Sequence, residues 1–356
     1  MRILPGLPTS SGWEFTVTLR FRRVPRSLTP PVASGCRSRS AASPAAGCRS
    51  RPRTRTESTC SHSERGRAVS ETPALTVSEL ISTLSSRQAL CAFNVENFDT
   101  LKPAMRAAAD TGCPVIVSFT VPAAQYLGYE LVVRLVGLLA STYGVRYALH
   151  LDHCENPAEL ISAVAAGFSS GNFLDEGLIP DGEYVPTARR LRNELSGRAS
   201  LEFVLGRLGH AHDAHPGHTA NNSGTSPSVE ALLEFANETR PDILGFDCGS
   251  LHGMSSREQD IDIELVRDVS VATGLPVVLH GSSGVRSEAI QEGIDAGIRK
   301  INVETALRKI YMASVQSFLV TGGPDSGKPR YLTRATDEAL SEAFTHLLEA
   351  YTMRRS

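Results

Sequence analysis

Residues 147–153 read Tyr147-Ala148-Leu149-His150-Leu151-Asp152-His153, an apolar run that gives way to histidine and aspartate. Two later segments have the same form. Ile243-Leu244-Gly245-Phe246 leads to Leu251-His252-Gly253, and Pro276-Val277-Val278-Leu279 leads to His280-Gly281-Ser282-Ser283-Gly284. Each short apolar run reads as a buried strand. Histidines from three strand ends meet at one point when the strands are parallel and close together. A (β/α)8 barrel arranges its strands so and gathers its chemistry at their C-terminal ends. Three imidazoles with one open position are the donor set of a catalytic zinc ion.

Working outward, eight strands are expected in order, at 89–95, 114–120, 147–152, 169–174, 199–205, 243–249, 276–281 and 300–305. Helical patterns lie between them, at 101–109, 131–139, 157–166 behind an Asn156 cap, 228–236, 263–271 and 287–296. Strand alternating with helix eight times over about 250 residues has the count and size of a TIM barrel, an α/β fold. A doubly wound open sheet is the structural alternative, but it places ligands at one switch point and not at many strand ends. Beyond residue 306 a helical extension is expected, interrupted at 321–327 and ending in a helix over 337–351.

The chain has 356 residues, 41% hydrophobic and 21% charged, the balance of a globular domain. No apolar run approaches the roughly 20 residues of a membrane span. Seven cysteines form no CxxC pair, so they read as thiols of the cytoplasm and not as a disulfide framework.

The net charge of −2 conceals an asymmetry. Residues 1–68 hold thirteen arginines, no lysine and three glutamates, about +10, which leaves −12 for the remainder. This Arg-, Ser- and Pro-rich segment cannot bury enough apolar surface to offset chain entropy, so residues 1–68 are expected to be disordered and 69–356 to form the barrel domain. The segment has no nucleic-acid-binding module. Its composition also resembles an organellar transit peptide. The preferred reading is translated upstream sequence from a start assigned too early, with Val69 near the true beginning.

A lone histidine is ordinarily a satisfied core or surface residue; what singles out His153, His252 and His280 is that all three stand at strand ends. His150 points inward as a structural residue and is not counted as a ligand. The loops after strands seven and eight are the usual phosphate position of such barrels. Here they offer Gly281-Ser282-Ser283-Gly284 and Asn302-Val303-Glu304-Thr305. The histidine-rich stretch 206–218 reads as a loop over the mouth.

From about Leu75 to the end, the chain resembles the class II, metal-dependent ketose-bisphosphate aldolases, of the fructose- and tagatose-bisphosphate kind. The resemblance is carried by Ala92-Phe93-Asn94-Val95, His150-Leu151-Asp152-His153, Leu205-Gly206-Arg207-Leu208-Gly209, His252-Gly253, His280-Gly281-Ser282-Ser283-Gly284, Lys300-Ile301-Asn302-Val303 and Lys328-Pro329-Arg330-Tyr331-Leu332. It implies His153, His252 and His280 as ligands of one zinc ion, and Asp152 as the acid/base at the hydroxyl of the carbon that becomes the aldehyde. It implies substrate contacts at Asn94 and Asn302, phosphate contacts at Gly253, Gly281, Ser283 and Thr305, and Arg330 on a substrate phosphate. It also implies a monovalent cation (Na+ or K+), a phosphorylated sugar substrate cleaved to dihydroxyacetone phosphate and an aldehyde, and a homodimer or homotetramer. Neither nucleic acid nor membrane is an expected partner. No lysine stands at a strand end suited to a Schiff base, which agrees with metal chemistry as the electron sink.

The chain departs from this resemblance at several positions. Val204 stands where members usually carry a carboxylate that serves a second metal position. His212, followed by Asp213, stands where the mobile loop usually offers a glutamate, so His212 is expected to move the proton at the donor carbon. Ser118 replaces a glutamine, Ser282 replaces a glycine, and Gly171-Asn172 alters strand four. Two alternatives follow: a specialised biosynthetic carbon–carbon lyase with a different aldehyde partner, and a non-catalytic metabolite-binding barrel.

Overall fold

The computed structural model describes residues 71–206, 208–210, 226–252, 260–321 and 327–353. The segment 1–68, His212 and Gly253 lie outside these residues, and so does the side chain of His252.

Strands β1 (Leu90–Asn94), β2 (Val115–Thr120), β3 (Tyr147–Cys154), β4 (Ser170–Phe173) and β5 (Ser200–Leu205) follow one another around a barrel. A two-residue strand β6 (Gly209–His210) lies outside it, and β7 (Ile243–Phe246) is the next stave. The short β8 (Leu251–His252) pairs with β6, after which β9 (Val277–Leu279) and β10 (Ile298–Val303) complete the ring against β1. Every neighbouring pair of staves is parallel. All eight expected strands are therefore present in the expected order. Expected strand six, 243–249, stops at Phe246, where the Asp247 side chain accepts the Gly249 N–H at 2.9 Å and turns the chain.

The strands alternate because each stave faces two environments. Cys91, Phe93, Val117, Phe119, Leu149, Leu151, Phe203 and Leu244 point outward into the core shared with the helices. Leu90, Ala92, Ile116, Ala148, Ile243 and Val278 point inward and fill the lower interior. Helix α1 (Val77–Ile81) starts on a Thr76–Glu79 capping box and inserts Val77 and Leu80 into that same cluster, so it plugs the barrel floor.

The outer layer comprises α2 (Phe98–Thr111), α3 (Val121–Leu127), α4 (Tyr129–Tyr143), α5 (Pro157–Ala166), α6 (Tyr184–Leu195), α7 (Val229–Thr239), α8 (Ile263–Thr273), α9 (Ser287–Ala296) and α10 (Thr305–Thr321). The Asn156 cap is present, its side chain accepting the Ala158 N–H at 3.0 Å. The last helix, α11 (Pro329–Tyr351), begins eight residues before the expected start at 337, because Pro329 suits a first helical position. It packs on α2 and β1, with the Phe344 and Phe93 rings 4.6 Å apart. Among the described residues no single helix is long and apolar enough to cross a membrane.

The registers sort the inward side chains into layers of four from alternate strands. Asn94, Asp152, Val204 and His280 form the layer at the mouth; Ser118, Asn172, Gly245 and Asn302 lie beneath it; Ala92, His150, Glu202 and Val278 come next.

Candidate active site at the barrel mouth

Successive residues of a strand face opposite ways, yet Asp152 and His153 both face the mouth. The cause is a bulge. The register of β3 against β4 shifts between Leu151 and Cys154, and His153 has the left-handed φ of 55°. Such a backbone is uncommon outside glycine and costs about 1–3 kcal/mol, which the surrounding structure must offset.

Asp152 is 1% exposed. Asn94 Nδ2 donates to its Oδ2 at 2.7 Å and Asn302 Nδ2 to its Oδ1 at 3.4 Å. The imidazoles of His150 and His153 lie 3.7 and 3.8 Å from it. Burial alone would raise this carboxyl, but His153, the His150 hydrogen bond and Lys300 together hold it well below the usual carboxylate range. It is an anion at neutral pH.

His153 and His280 face each other with ring centroids 5.9 Å apart, nearly perpendicular. Each has a carboxylate on one nitrogen. His153 Nδ1 meets Glu176 Oε1 at 2.8 Å, and His280 Nε2 meets Glu202 Oε1 at 2.8 Å, leaving His280 Nδ1 facing Asn302 Nδ2 at 3.3 Å. A carboxylate behind an imidazole fixes its tautomer and raises its basicity as a metal donor. Burial lowers the affinity of His153 for a proton, yet Asp152 and Glu176 outweigh it and push the imidazole up to about 9.

The third candidate, His252, sits in β8, in register with His210 of β6. Two residues before it, Ser250 Oγ donates to the His280 carbonyl at 2.6 Å, which ties this segment to the end of β9. Among the described residues no group of three His, Cys, Asp or Glu side chains encloses a metal position. The two described imidazoles suit zinc, and the side chain of His252, the third expected ligand, lies outside the described residues.

Below the mouth lies a polar network that sequence reasoning did not single out. Lys300 Nζ donates to Glu202 Oε2 at 2.7 Å and lies 3.3 Å from His150 Nε2; His150 Nδ1 meets Ser170 Oγ at 2.8 Å. All four residues are fully buried. His150 is thus the inward structural residue it was expected to be. Burial would raise the Glu202 carboxyl, but Lys300 and His280 hold it far below its ordinary value. The signal was charge inside an otherwise apolar strand, Glu202 in β5 and Lys300, beside Arg299, in β10.

Residues 77–354 match the sequence profile of the family described as fructose-bisphosphate aldolase class-II. The chain belongs to the class-II fructose-bisphosphate aldolase family. Solved structures agree in fold. The YdjI aldolase from Escherichia coli K12 superposes with a TM-score of 0.64 at 23% identity, over 77% of this chain and 94% of that one. A putative fructose-1,6-biphosphate aldolase from Coccidioides immitis gives 0.67 at 23% identity, over 76% and 94%. Fructose-bisphosphate aldolase from Campylobacter jejuni gives 0.64 at 19% identity, over 79% and 96%. Membership of the aldolase family makes the protein an enzyme of the lyase type.

The remaining aldolase-family positions can be placed on this frame. Gly281, with φ of 67°, leads into a short 3-10 turn, Ser282–Gly284. Ser282 Oγ donates to the Asn302 carbonyl at 2.6 Å, and Ser283 Oγ accepts the Ala306 N–H at 3.3 Å, so the loops after β9 and β10 are stitched together. Thr305 opens α10 and is buried. Near the mouth, the buried Asn94 Oδ1, Asn302 Oδ1 and Ser118 Oγ lack a hydrogen-bond partner among the described residues. Arg330 is not brought into contact with these groups. It is exposed in the first turn of α11, over the Tyr331 ring at 4.9 Å. That turn is nevertheless at the mouth end, since Thr333 donates to Asp99 at the start of α2 at 3.4 Å. Val204 is buried against Leu174 and Leu208, an apolar cluster separate from the main core.

Proposed function

We propose that the protein is a zinc-dependent aldolase that reversibly cleaves a phosphorylated ketose, of the fructose- or tagatose-bisphosphate kind, into dihydroxyacetone phosphate and an aldehyde. The observation that carries this reading is the Asp152 carboxylate, buried, ionised and gripped by two amides beside two carboxylate-backed imidazoles. His153, His252 and His280 would hold one zinc ion per subunit. When bound, zinc supplies a Lewis acid for the ketose carbonyl and for the negative charge left by carbon–carbon cleavage.

Asp152 takes the proton from the hydroxyl of the carbon that becomes the aldehyde. As that oxygen forms its carbonyl, the adjacent carbon–carbon bond breaks and its electron pair stays with the donor fragment. His212, with Asp213 in reserve, returns a proton to the donor carbon from the loop above. In the condensing direction both transfers reverse. Asn94 and Asn302, their N–H groups engaged with Asp152, have amide oxygens to orient substrate hydroxyls. Gly253, Gly281, Ser283 and Thr305 hold one phosphate, with Na+ or K+ beside it, and Arg330 reaches a phosphate from α11. The setting is cytoplasmic and the assembly a homodimer or homotetramer.

The apolar cluster around Val204 and the small Ser118 favour a second reading, a specialised lyase whose aldehyde partner is not a sugar phosphate. Dihydroxyacetone phosphate offered with a panel of aldehydes, with and without zinc, tests both. Products with sugar aldehydes alone support the first reading, and products with non-sugar aldehydes alone the second. No carbon–carbon bond formation with any partner overturns both. Asp152→Asn keeps the shape and removes the charge, and is expected to lower kcat by about 10²–10⁴.

A further inference from the structure

The Gly171-Asn172 pair of β4 has a structural use. Asn172 points inward from β4 and is fully buried between β3 and β5. Its Oδ1 accepts the Cys154 N–H at 3.3 Å. Its Nδ2 donates to Glu202 Oε1 at 3.4 Å, the same oxygen that meets His280 Nε2 at 2.8 Å. Cys154 follows His153 directly and is where the β3–β4 register resumes after the bulge. One side chain therefore links the β3 bulge beside His153 to the β5 carboxylate that meets His280.

We propose that Asn172 is a positioning residue that sets the spacing of the two metal-facing imidazoles, closing the β3 bulge behind His153 and bracing, through Glu202, the ring of His280. The inference rests on the zinc reading above. The chemistry requires an amide on a short stem, since one group must accept on one side and donate on the other. Leucine offers neither function and aspartate lacks the donor. The neighbouring Gly171 holds the strand in place, because a Cβ there would meet the Leu160 side chain and would lie 3.3 Å from the Leu151 carbonyl. With the β4 backbone so confined, the Asn172 side chain cannot be replaced by a shift of the strand.

The test uses the full-length, metal-free protein titrated with Co2+, whose visible absorption reports the geometry of its ligands, and with Zn2+ in competition with a chelator. Asn172→Leu is expected to bind both ions about 10–100-fold more weakly than the wild type, the usual consequence of losing an outer-shell partner, and to give an altered cobalt spectrum. Asn172→Asp, which keeps the acceptor for Cys154, carries the same test if the leucine variant does not fold; thermal unfolding of the metal-free forms decides that. Wild-type protein that binds Co2+, with variants of equal affinity and unchanged spectrum, overturns the role of Asn172 and leaves the zinc reading standing. Wild-type protein that binds neither ion overturns both.

Discussion

Lys300 and Glu202 meet in the barrel interior at 2.7 Å with no exposure on either side chain. A pair so buried need not stabilise more than an apolar substitute, but removal of Lys300 leaves the Glu202 carboxylate without solvent and without its ammonium partner. Lys300→Met is therefore expected to cost about 3–5 kcal/mol at neutral pH. The pH dependence of this cost has a definite sign. In the wild type the Glu202 carboxyl is lowered from 4.5, so its contribution is present above that value and is lost only as the pH falls below it. Loss of Lys300 removes the largest of the influences that lower the carboxyl, so in the variant it titrates higher than in the wild type. The variant then regains stability as the pH drops towards 5, and its deficit narrows. Urea unfolding at pH 8 and pH 5 measures both deficits; a gap that is constant or widens towards acid contradicts this account of the pair.

At the scale of elements, β5 and β7 show how the barrel accommodates its departures. A Cβ on Gly245 would stand 2.7 Å from Val204 Cγ2 and 3.2 Å from Val278 Cγ1, so glycine in β7 makes room for the apolar wall that Val204 builds. Gly245→Ala is expected to cost about 1–3 kcal/mol by overpacking. Combined with Val204→Ala, which vacates that space, it should cost less than the two changes added together. Strict additivity in a denaturant-melt cycle would show that the two strands do not share this space. The staves themselves were legible in sequence because each alternates between two buried faces and ends in turn residues. Helices α1, α3 and α6 were not. The first two are single or double turns, and the apolar stripe of α6 is only Ala188, Leu191 and Leu195 among arginines. The site was legible to the same extent. Asp152, Asn94, His280 and Asn302 are marked by their places at strand ends. Glu176, Glu202 and Asn172 act through partners 23, 78 and 30 residues away, on other strands. Such contacts depend on barrel closure and on the β3 bulge, which no local pattern announces.

For the whole molecule, the question is what closes the floor beneath this polar interior. Val77 and Leu80 of α1 are fully buried among Leu90, Ala92, Ile116, Ala148, Ile243 and Val278. The chain is sewn to the wall just before them: Thr72 N–H donates to the Gly137 carbonyl at 3.2 Å, Leu75 N–H to the Tyr147 carbonyl at 2.9 Å, and the Tyr147 hydroxyl to the Thr72 carbonyl at 2.9 Å. Ser78 adds a hydrogen bond from its N–H to Ser200 Oγ at 3.0 Å. Two fully buried aliphatic side chains at about 1.5–3 kcal/mol each make α1 worth several kcal/mol to the barrel. A chain beginning at residue 70 keeps every one of these contacts and is the reference. A chain beginning at residue 85 loses them all, admits water to the lower interior, and is expected to melt about 10 °C or more below it. Val77→Ala with Leu80→Ala should reproduce most of that loss without shortening the chain. Equal melting temperatures for the two shortened chains would mean that the floor closes without α1, and that Leu90, Ile116, Ala148 and Ile243 alone keep solvent from Lys300 and Glu202.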